Sequence, residues 1–224
     1  MPSSTVEDYL KCIYLEEERL DGVLVPTGQV ASSLHVAPGT ATAMVKTLAD
    51  SGLVIYEPYA GVKLSEAGRQ LAAHVLRRHR LVELFLVKVM NMSWSEVHGD
   101  AEVLEHAVSD QLIEKMDEML GHPAADPHGD PIPTAHGEMR VAAHPSLLDC
   151  ALETPVLVVR VTDQRTEFLR LLERHGLMPG LHVAVRSRDE LADTVEVLPE
   201  AGEPFRLGYR AASRILVEPG SDRS

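Results

Sequence analysis

This chain of 224 residues has few cysteines, a deficit of basic side chains and no long apolar run. Its two cysteines, Cys12 and Cys150, lie far apart, so no disulfide framework is expected. No stretch approaches the roughly 20 apolar residues of a membrane helix. The N-terminus lacks the basic start and apolar core of a secretory signal. A cytoplasmic protein with no membrane partner is therefore expected. Lys and Arg number 21 against 34 Asp and Glu, a net charge of −13. That balance argues against broad, nonspecific nucleic-acid binding. It does not exclude a small DNA-reading surface, because groove affinity follows local charge. The same balance fits a protein that gathers cations, or simply an acidic solvated surface. There is also no Gly-rich phosphate loop, no nucleophile motif and no HExxH helix, since Glu105-His106 reverses that order. These absences weigh against a hydrolase and against a small-molecule substrate.

What is present is 45% hydrophobic residues, enough for a core, in a length suited to one large domain or two to three small ones. Apolar spacing predicts a helix over 6–20, capped by Ser3, Ser4 or Thr5. A short helix follows from Pro26-Thr27 to Leu34, and a third runs to about Ser51, closed by Gly52. Two short strands, 53–57 and 62–64, flank a turn. A long helix over 66–89 comes next. A helix opened by Ser93 or Ser95 carries His98 to His106, and another covers 109–120. Residues 122–145, rich in Pro, Gly, His and Ala, read as a linker. Beyond Thr154 the pattern becomes short strands at 155–161, 181–187, 194–198, 205–207 and 215–217, with one helix over 163–175, which is a small barrel-type domain. The segments are 1–73, 74–145 and 146–224: a mainly α part followed by a small β-barrel.

Helix, short helix, turn, helix, hairpin is the order of a winged helix-turn-helix, whose second helix enters the major groove of duplex DNA. The positions then facing DNA are Thr27 and Ala37, next Gly39, Thr40, Thr42, Ala43, Lys46 and Thr47, and on the hairpin Tyr59 and Lys63. Threonine hydroxyls bond phosphates or bases, and small residues let the backbone approach. Winged helices also serve as protein–protein modules, and the first 70 residues hold five Lys/Arg against nine Asp/Glu. The reading helix has no Arg, so specificity is expected from dimer spacing, DNA shape or thymine contacts.

The densest chemistry lies at His98, Glu102, Glu105 and His106. At about 100° per residue, with His98 at 0°, the others fall near 40°, −20° and 80°, on one helix face. His79 and Glu83 repeat the His/carboxylate pattern at i,i+4 on the helix upstream. Helical i,i+4 His–Glu pairs also occur as plain surface support, and an isolated surface histidine is the reading for His74, His122, His128, His136, His144, His175 and His182. A cluster of carboxylates and imidazoles without cysteine suits Mn2+ or Fe2+ better than a thiolate zinc site. A metal-dependent hydrolase and a metal-buffering protein are the alternative readings of the same cluster.

The residues resemble the diphtheria toxin repressor family of metal-dependent transcriptional regulators over nearly the whole chain. The resemblance is carried by Glu7-Asp8-Tyr9-Leu10 with Ile13-Tyr14, Val30-Ala31, Ala41-Thr42 with Met44-Val45, Gly52-Leu53-Val54, Arg78-His79-Arg80-Leu81, Val97-His98, Glu105-His106 and Gly129-Asp130-Pro131-Ile132-Pro133. It implies a winged helix-turn-helix, a helical dimerisation and metal-binding domain with a proline-rich tether, and an SH3-like (FeoA-like) domain. It implies a homodimer on double-stranded operator DNA, controlling metal homeostasis, with no enzymatic role. Two metal sites are implied. An ancillary one would use His79, Glu83 and His98 with Gln164 and Glu167, the latter pair read as i,i+3 on one short helix. A regulatory one would use Asp8, Glu102, Glu105 and His106. Carboxylates at 8 and 102, where the iron-responsive branch has Met and Cys, lean toward Mn2+ over Fe2+. Lys11 stands where short manganese regulators have a carboxylate, which favours two separate sites over a bridged pair. Metal between Asp8 and the Glu102–Glu105–His106 group would fix the DNA-binding domain and space the two reading helices for a palindrome.

Overall fold

The computed structural model describes residues 3–20, 22–139 and 142–220. The outer limits of the first and third expected segments, 1–2 and 221–224, lie outside the described residues. The chain divides into two compact units. One comprises Met1–His79, Val103–Asp110 and Pro133–Met139, and the other Arg80–Glu102, Gln111–Ile132 and Arg140–Ser224.

The first unit contains α1 (Ser4–Arg19), α2 (Thr27–Ser33), α3 (Pro38–Asp50), β1 (Val54–Glu57), β2 (Gly61–Leu64) and the first half of α4 (Glu66–Lys88). Ser3 is the cap of α1: its side chain accepts from the Val6 N–H at 3.4 Å. Helix therefore begins two residues before the apolar stripe does. Pro38 pre-sets the first turn of α3, and Gly52, at φ +71°, ends it in the left-handed region. The periodic apolar residues Leu10, Ile13, Val30, Ala41, Val45 and Leu48 share one buried core with Val54, Val62 and Leu64 of the hairpin. The hairpin pairs antiparallel from Val54↔Leu64 to Glu57↔Gly61, with Tyr59 at its tip at φ +67°. This is the winged helix-turn-helix expected from the element order.

The second unit holds the rest of α4, most of α5 (Val97–Leu104), α6 (Asp110–Leu120), β3 (Pro155–Val161), α7 (Thr166–Arg174), β4 (His182–Asp189), β5 (Thr194–Pro199), β6 (Phe205–Gly208), α8 (Tyr209–Ala212) and β7 (Ile215–Pro219). The strands form one antiparallel sheet in the order β6-β5-β4-β3-β7. Irregularities between Val158 and Arg160 and between Val185 and Ser187 bend the sheet as β-bulges do. Alternate valines, Val156, Val158, Val183, Val185, Val195 and Val197, face its core with Leu169 and Leu172 of α7. The single-turn helix α8 carries no apolar periodicity long enough to be read from sequence.

The stretch expected to be a linker is ordered at its centre. The Asp126 carboxylate accepts from the backbone N–H groups of His128 (2.8 Å) and Asp130 (3.0 Å), closing a tight turn. Gly129 sits there at φ +86°, and a Cβ on it would lie 1.9 Å from the Val159 carbonyl. Val161 N–H bonds the His128 carbonyl at 2.8 Å, so the turn is fastened to the end of β3.

Candidate metal centre

Most of the positions expected to face DNA lie at the surface. In the first unit Ala37, Gly39, Thr40, Ala43, Lys46, Thr47 and Lys63 are exposed, Thr27 and Thr42 half-buried, and Tyr59 fully exposed at 108%. The buried positions of α3 are the alternate set, Ala41, Val45 and Leu48. Two of the threonines bond their own helix. Thr42 Oγ1 donates to the Pro38 carbonyl (2.9 Å) and Thr47 Oγ1 to the Ala43 carbonyl (3.2 Å), back-bonding to the residue four positions before.

α1 connects this face to a cluster of ionisable groups. At its far end Glu16 accepts from Ser33 at 2.9 Å, and Glu17 accepts from the Leu64 backbone N–H at 2.5 Å and from Arg69. Both carboxylates are buried, so α1 holds the end of α2 and the base of the wing. At its near end is Asp8. His106 Nε2 lies 2.8 Å from Asp8 Oδ1 and 3.5 Å from Glu105 Oε1, and His106 Nδ1 lies 2.7 Å from Glu7, which also pairs with Arg78 at 2.7 Å. One donor atom each from Asp8, Glu105 and His106 falls within 4.8 Å of the others. Glu105 is wholly buried. Its Oε1 accepts from Lys11 Nζ at 2.5 Å and its Oε2 meets His79 Nδ1.

The single helix face expected for residues 98–106 is interrupted. α5 ends at Leu104, and a tight turn follows, with Ala107 N–H on the Leu104 carbonyl at 2.9 Å. That turn swings Glu105 inward while Val103 stays 73% exposed. Glu102 and His98 remain on the helix, 3.6 Å apart, and His98 Nδ1 lies 3.0 Å from Glu83 Oε1.

The second unit contains a cluster that sequence reasoning missed. Glu83, Asp126 and His128 are all buried, with donor atoms within 4.8 Å of one another. His128, expected at the surface, is 0% exposed and stacks on Trp94 at 5.4 Å, because the Asp126 turn folds it inward. Its Nε2 lies 2.9 Å from the Trp94 carbonyl, an acceptor only, so that nitrogen carries the proton. Nδ1 is then a lone pair. It is buried without a hydrogen-bond partner, 3.8 Å from Glu83 and 4.0 Å from Asp126. An acceptor facing two carboxylates calls for a cation, and an imidazole whose other N–H is held by a carbonyl is the usual form of a metal-ligating histidine. Burial, then repulsion from Asp130 and Glu83, pushes the Asp126 carboxyl well above the ordinary carboxylate range against the pull of Arg80. These donors, oxygen and imidazole without sulfur, fit a hard or borderline divalent ion.

The two ligands expected from the barrel domain do not share a helix. α7 starts at Thr166 after an extended Arg165, so Gln164 precedes the helix and is not on one face with Glu167. Gln164 Nε2 donates to Asp130 at 2.8 Å, Asp130 also holds Arg160, and Glu167 is exposed. The signal that pointed past them was the Asp126-Pro-His-Gly-Asp130 run, whose Asp and Gly predict a tight turn that presents His128.

Residues 1–62 match the family described as iron dependent repressor, N-terminal DNA binding domain, residues 65–134 its metal binding and dimerisation domain, and residues 146–219 the FeoA domain. The iron-dependent repressor IdeR of Mycobacterium tuberculosis H37Rv is 32% identical, covering 96% of each chain. The diphtheria toxin repressor of Corynebacterium diphtheriae is 30% identical over 83% of this chain and 85% of that one. A solved manganese-dependent transcriptional repressor in complex with manganese is 35% identical, with a TM-score of 0.83, covering 96% of this chain and 99% of that one. Among the described residues no helix is long and apolar enough to cross a membrane. The chain belongs to the iron-dependent repressor family typified by the diphtheria toxin repressor, whose members are metal-dependent DNA-binding repressors and not enzymes.

Proposed function

We propose that this repressor responds to Mn2+ in preference to Fe2+ and binds a palindromic operator as a homodimer in the cytoplasm when loaded. The observation that carries the reading is the meeting of Asp8, Glu105 and His106, two hard carboxylates and one imidazole, at the near end of the helix that holds the reading unit together. Glu102, which the family resemblance adds to this set, lies beside His98 in the second unit. The second set is centred on Glu83, with His98, Asp126 and His128. Gln164 and Glu167 are not needed for it.

A bound divalent ion supplies positive charge that offsets the crowded carboxylates. The protein does the rest. With Asp8 held against Glu105 and His106, α1 is fixed at its near end. Its far end then fixes α2 through Glu16 and Ser33, and the wing through Glu17 and the Leu64 amide. The population shifts toward the arrangement in which Gly39, Thr40, Ala43, Lys46 and Thr47 address the groove. A preference for Mn2+ follows from the missing sulfur. Affinity order alone runs the other way, so geometry and availability must supply the remainder.

The test is an anaerobic titration of Mn2+ and of Fe2+ against binding to promoter fragments, in the parent and in Asp8→Ala. Retardation at lower Mn2+ than Fe2+, lost in Asp8→Ala with the fold retained, is the expected result. Retardation by Asp8→Ala with an unchanged Mn2+ dependence overturns the regulatory assignment.

A further inference from the structure

We infer that Lys11 is a built-in cation that occupies the regulatory carboxylate when metal is away, and that it sets the metal concentration at which the repressor switches; this rests on the regulatory reading above. Glu105 is wholly buried and both its oxygens are engaged, Oε1 by the Lys11 ammonium at 2.5 Å and Oε2 by His79. Lys11 itself is 7% exposed, so the pair is closed off from bulk water. A buried carboxylate left alone is strongly unfavourable, and an ammonium at hydrogen-bond distance removes that penalty. The oxygen that Lys11 holds is the one facing His106, 3.5 Å from its Nε2. It is therefore the donor that a divalent ion shared with Asp8 and His106 would claim.

One oxygen does not serve an ammonium at 2.5 Å and a divalent ion together without strong like-charge repulsion. Loading must move the Lys11 head group off Oε1. Its flexible four-carbon stem allows that without moving the helix. Metal binding is thus an exchange of one cation for another on a carboxylate that is never left bare. Two consequences follow. The affinity is weakened by the interaction that loading gives up, and in the metal-free protein α1 keeps one tie, Lys11 to Glu105, to which metal adds the hold at Asp8. Asp8 and Lys11 lie at i,i+3 on α1, so the ligand and its competitor ride on one rigid element.

The test is calorimetric titration of the full-length protein with Mn2+ alone, in the parent, Lys11→Met, Lys11→Gln and Lys11→Arg, with amide hydrogen exchange of α1 in the metal-free state. Lys11→Met keeps the stem and removes the charge, and Lys11→Gln covers the case in which an apolar end beside Glu105 does not fold. The neutral variant that folds should bind Mn2+ at the regulatory site about tenfold tighter or more, equivalent to about 1.4 kcal/mol. Its α1 amides should exchange faster without metal, and Lys11→Arg should stay close to the parent. Equal or weaker Mn2+ binding in the neutral variants overturns the inference and makes Lys11 a structural partner only. Asp8→Asn, run alongside, separates the two failures: if it leaves the Mn2+ stoichiometry unchanged, the regulatory reading itself has failed.

Discussion

The two ionisable clusters are built from the same donor types yet are balanced in opposite ways. In the first unit each carboxylate of the ligand cluster has a protein cation or imidazole on it: Lys11 and His79 on Glu105, Arg78 on Glu7, His106 on Asp8. Asp8 is partly exposed, with 37% of its side chain open. In the second unit Glu83, Asp126 and His128 are all buried, and the imidazole lone pair meets acceptors only. The first cluster is complete without a metal, and metal there must displace something. The second is incomplete until a cation or a proton arrives. A site that exchanges partners suits a switch, whereas a site with a buried unsatisfied nitrogen suits a standing structural ion.

His128→Ala is the sharpest way to break this contrast. The side chain is fully buried, stacks on Trp94 and bonds its carbonyl, so its loss should cost about 2–4 kcal/mol of stability in the metal-free protein. One Mn2+ per chain should vanish from the titration, and the rise in thermal midpoint on adding Mn2+ should shrink. Asp8→Ala should remove the other ion with little change in metal-free stability, its carboxylate being partly solvated. If His128→Ala keeps both ions and the full Mn2+-induced rise in midpoint, the second cluster is packing and not a metal centre.

A smaller effect is expected where α1 hands its position to the reading unit. Glu17→Ala leaves the Leu64 amide without its acceptor, a loss of about 1–3 kcal/mol where that amide is buried. Glu17→Gln keeps an acceptor and gives up only the charge toward Arg69, which is 44% exposed, so it should cost about 1 kcal/mol or less. Both variants should weaken operator binding at saturating Mn2+ while leaving the Mn2+ affinity as it was. Quantitative retardation at fixed, saturating metal checks this. A parallel loss of metal affinity would mean that Glu17 acts on the ligand cluster and not beyond it.

Much of this was legible because it rests on local patterns. The apolar spacing of Leu10, Ile13, Val45 and Leu48 and the alternating valines of the sheet gave elements within a residue or two of those observed, and strand β3 at its full extent. Glu105 and His106 could be singled out because they sit in a dense run of metal-binding side chains, whereas Asp8, far from them in sequence, entered only through the family resemblance. Glu105 was harder to orient, since helix periodicity assumes that the helix continues, and α5 stops at Leu104. His128 was misread for a different reason. Its burial is set by an Asp126 turn packed on Val159, a contact 30 residues away that no periodicity records. Lys11 read as a departure from a pattern, but that its ammonium rests on Glu105, 94 residues on, is knowable only from the folded chain.

The smallest effect concerns sulfur, which both clusters lack. Cys12 lies one turn beyond Asp8 on α1, near enough in sequence to ask whether a thiolate joins the regulatory set. It is buried instead toward Ser33 and Glu16. Burial first, then the Glu16 charge, pushes its thiol up to about 11, so it stays protonated at neutral pH. Only above that value does the thiolate prevail, so at pH 8 alkylation should run roughly 100-fold slower than for an ordinary free thiol near 8.5 to 9. Cys150, raised by burial despite the opposing Arg188, should be slow as well. Mn2+ or Fe2+ at saturation should leave the Cys12 rate unchanged, because neither ion draws on the thiol. Protection of Cys12 by Fe2+ alone would put sulfur into the iron-loaded site, and the preference for Mn2+ argued from hard donors would then lose its basis.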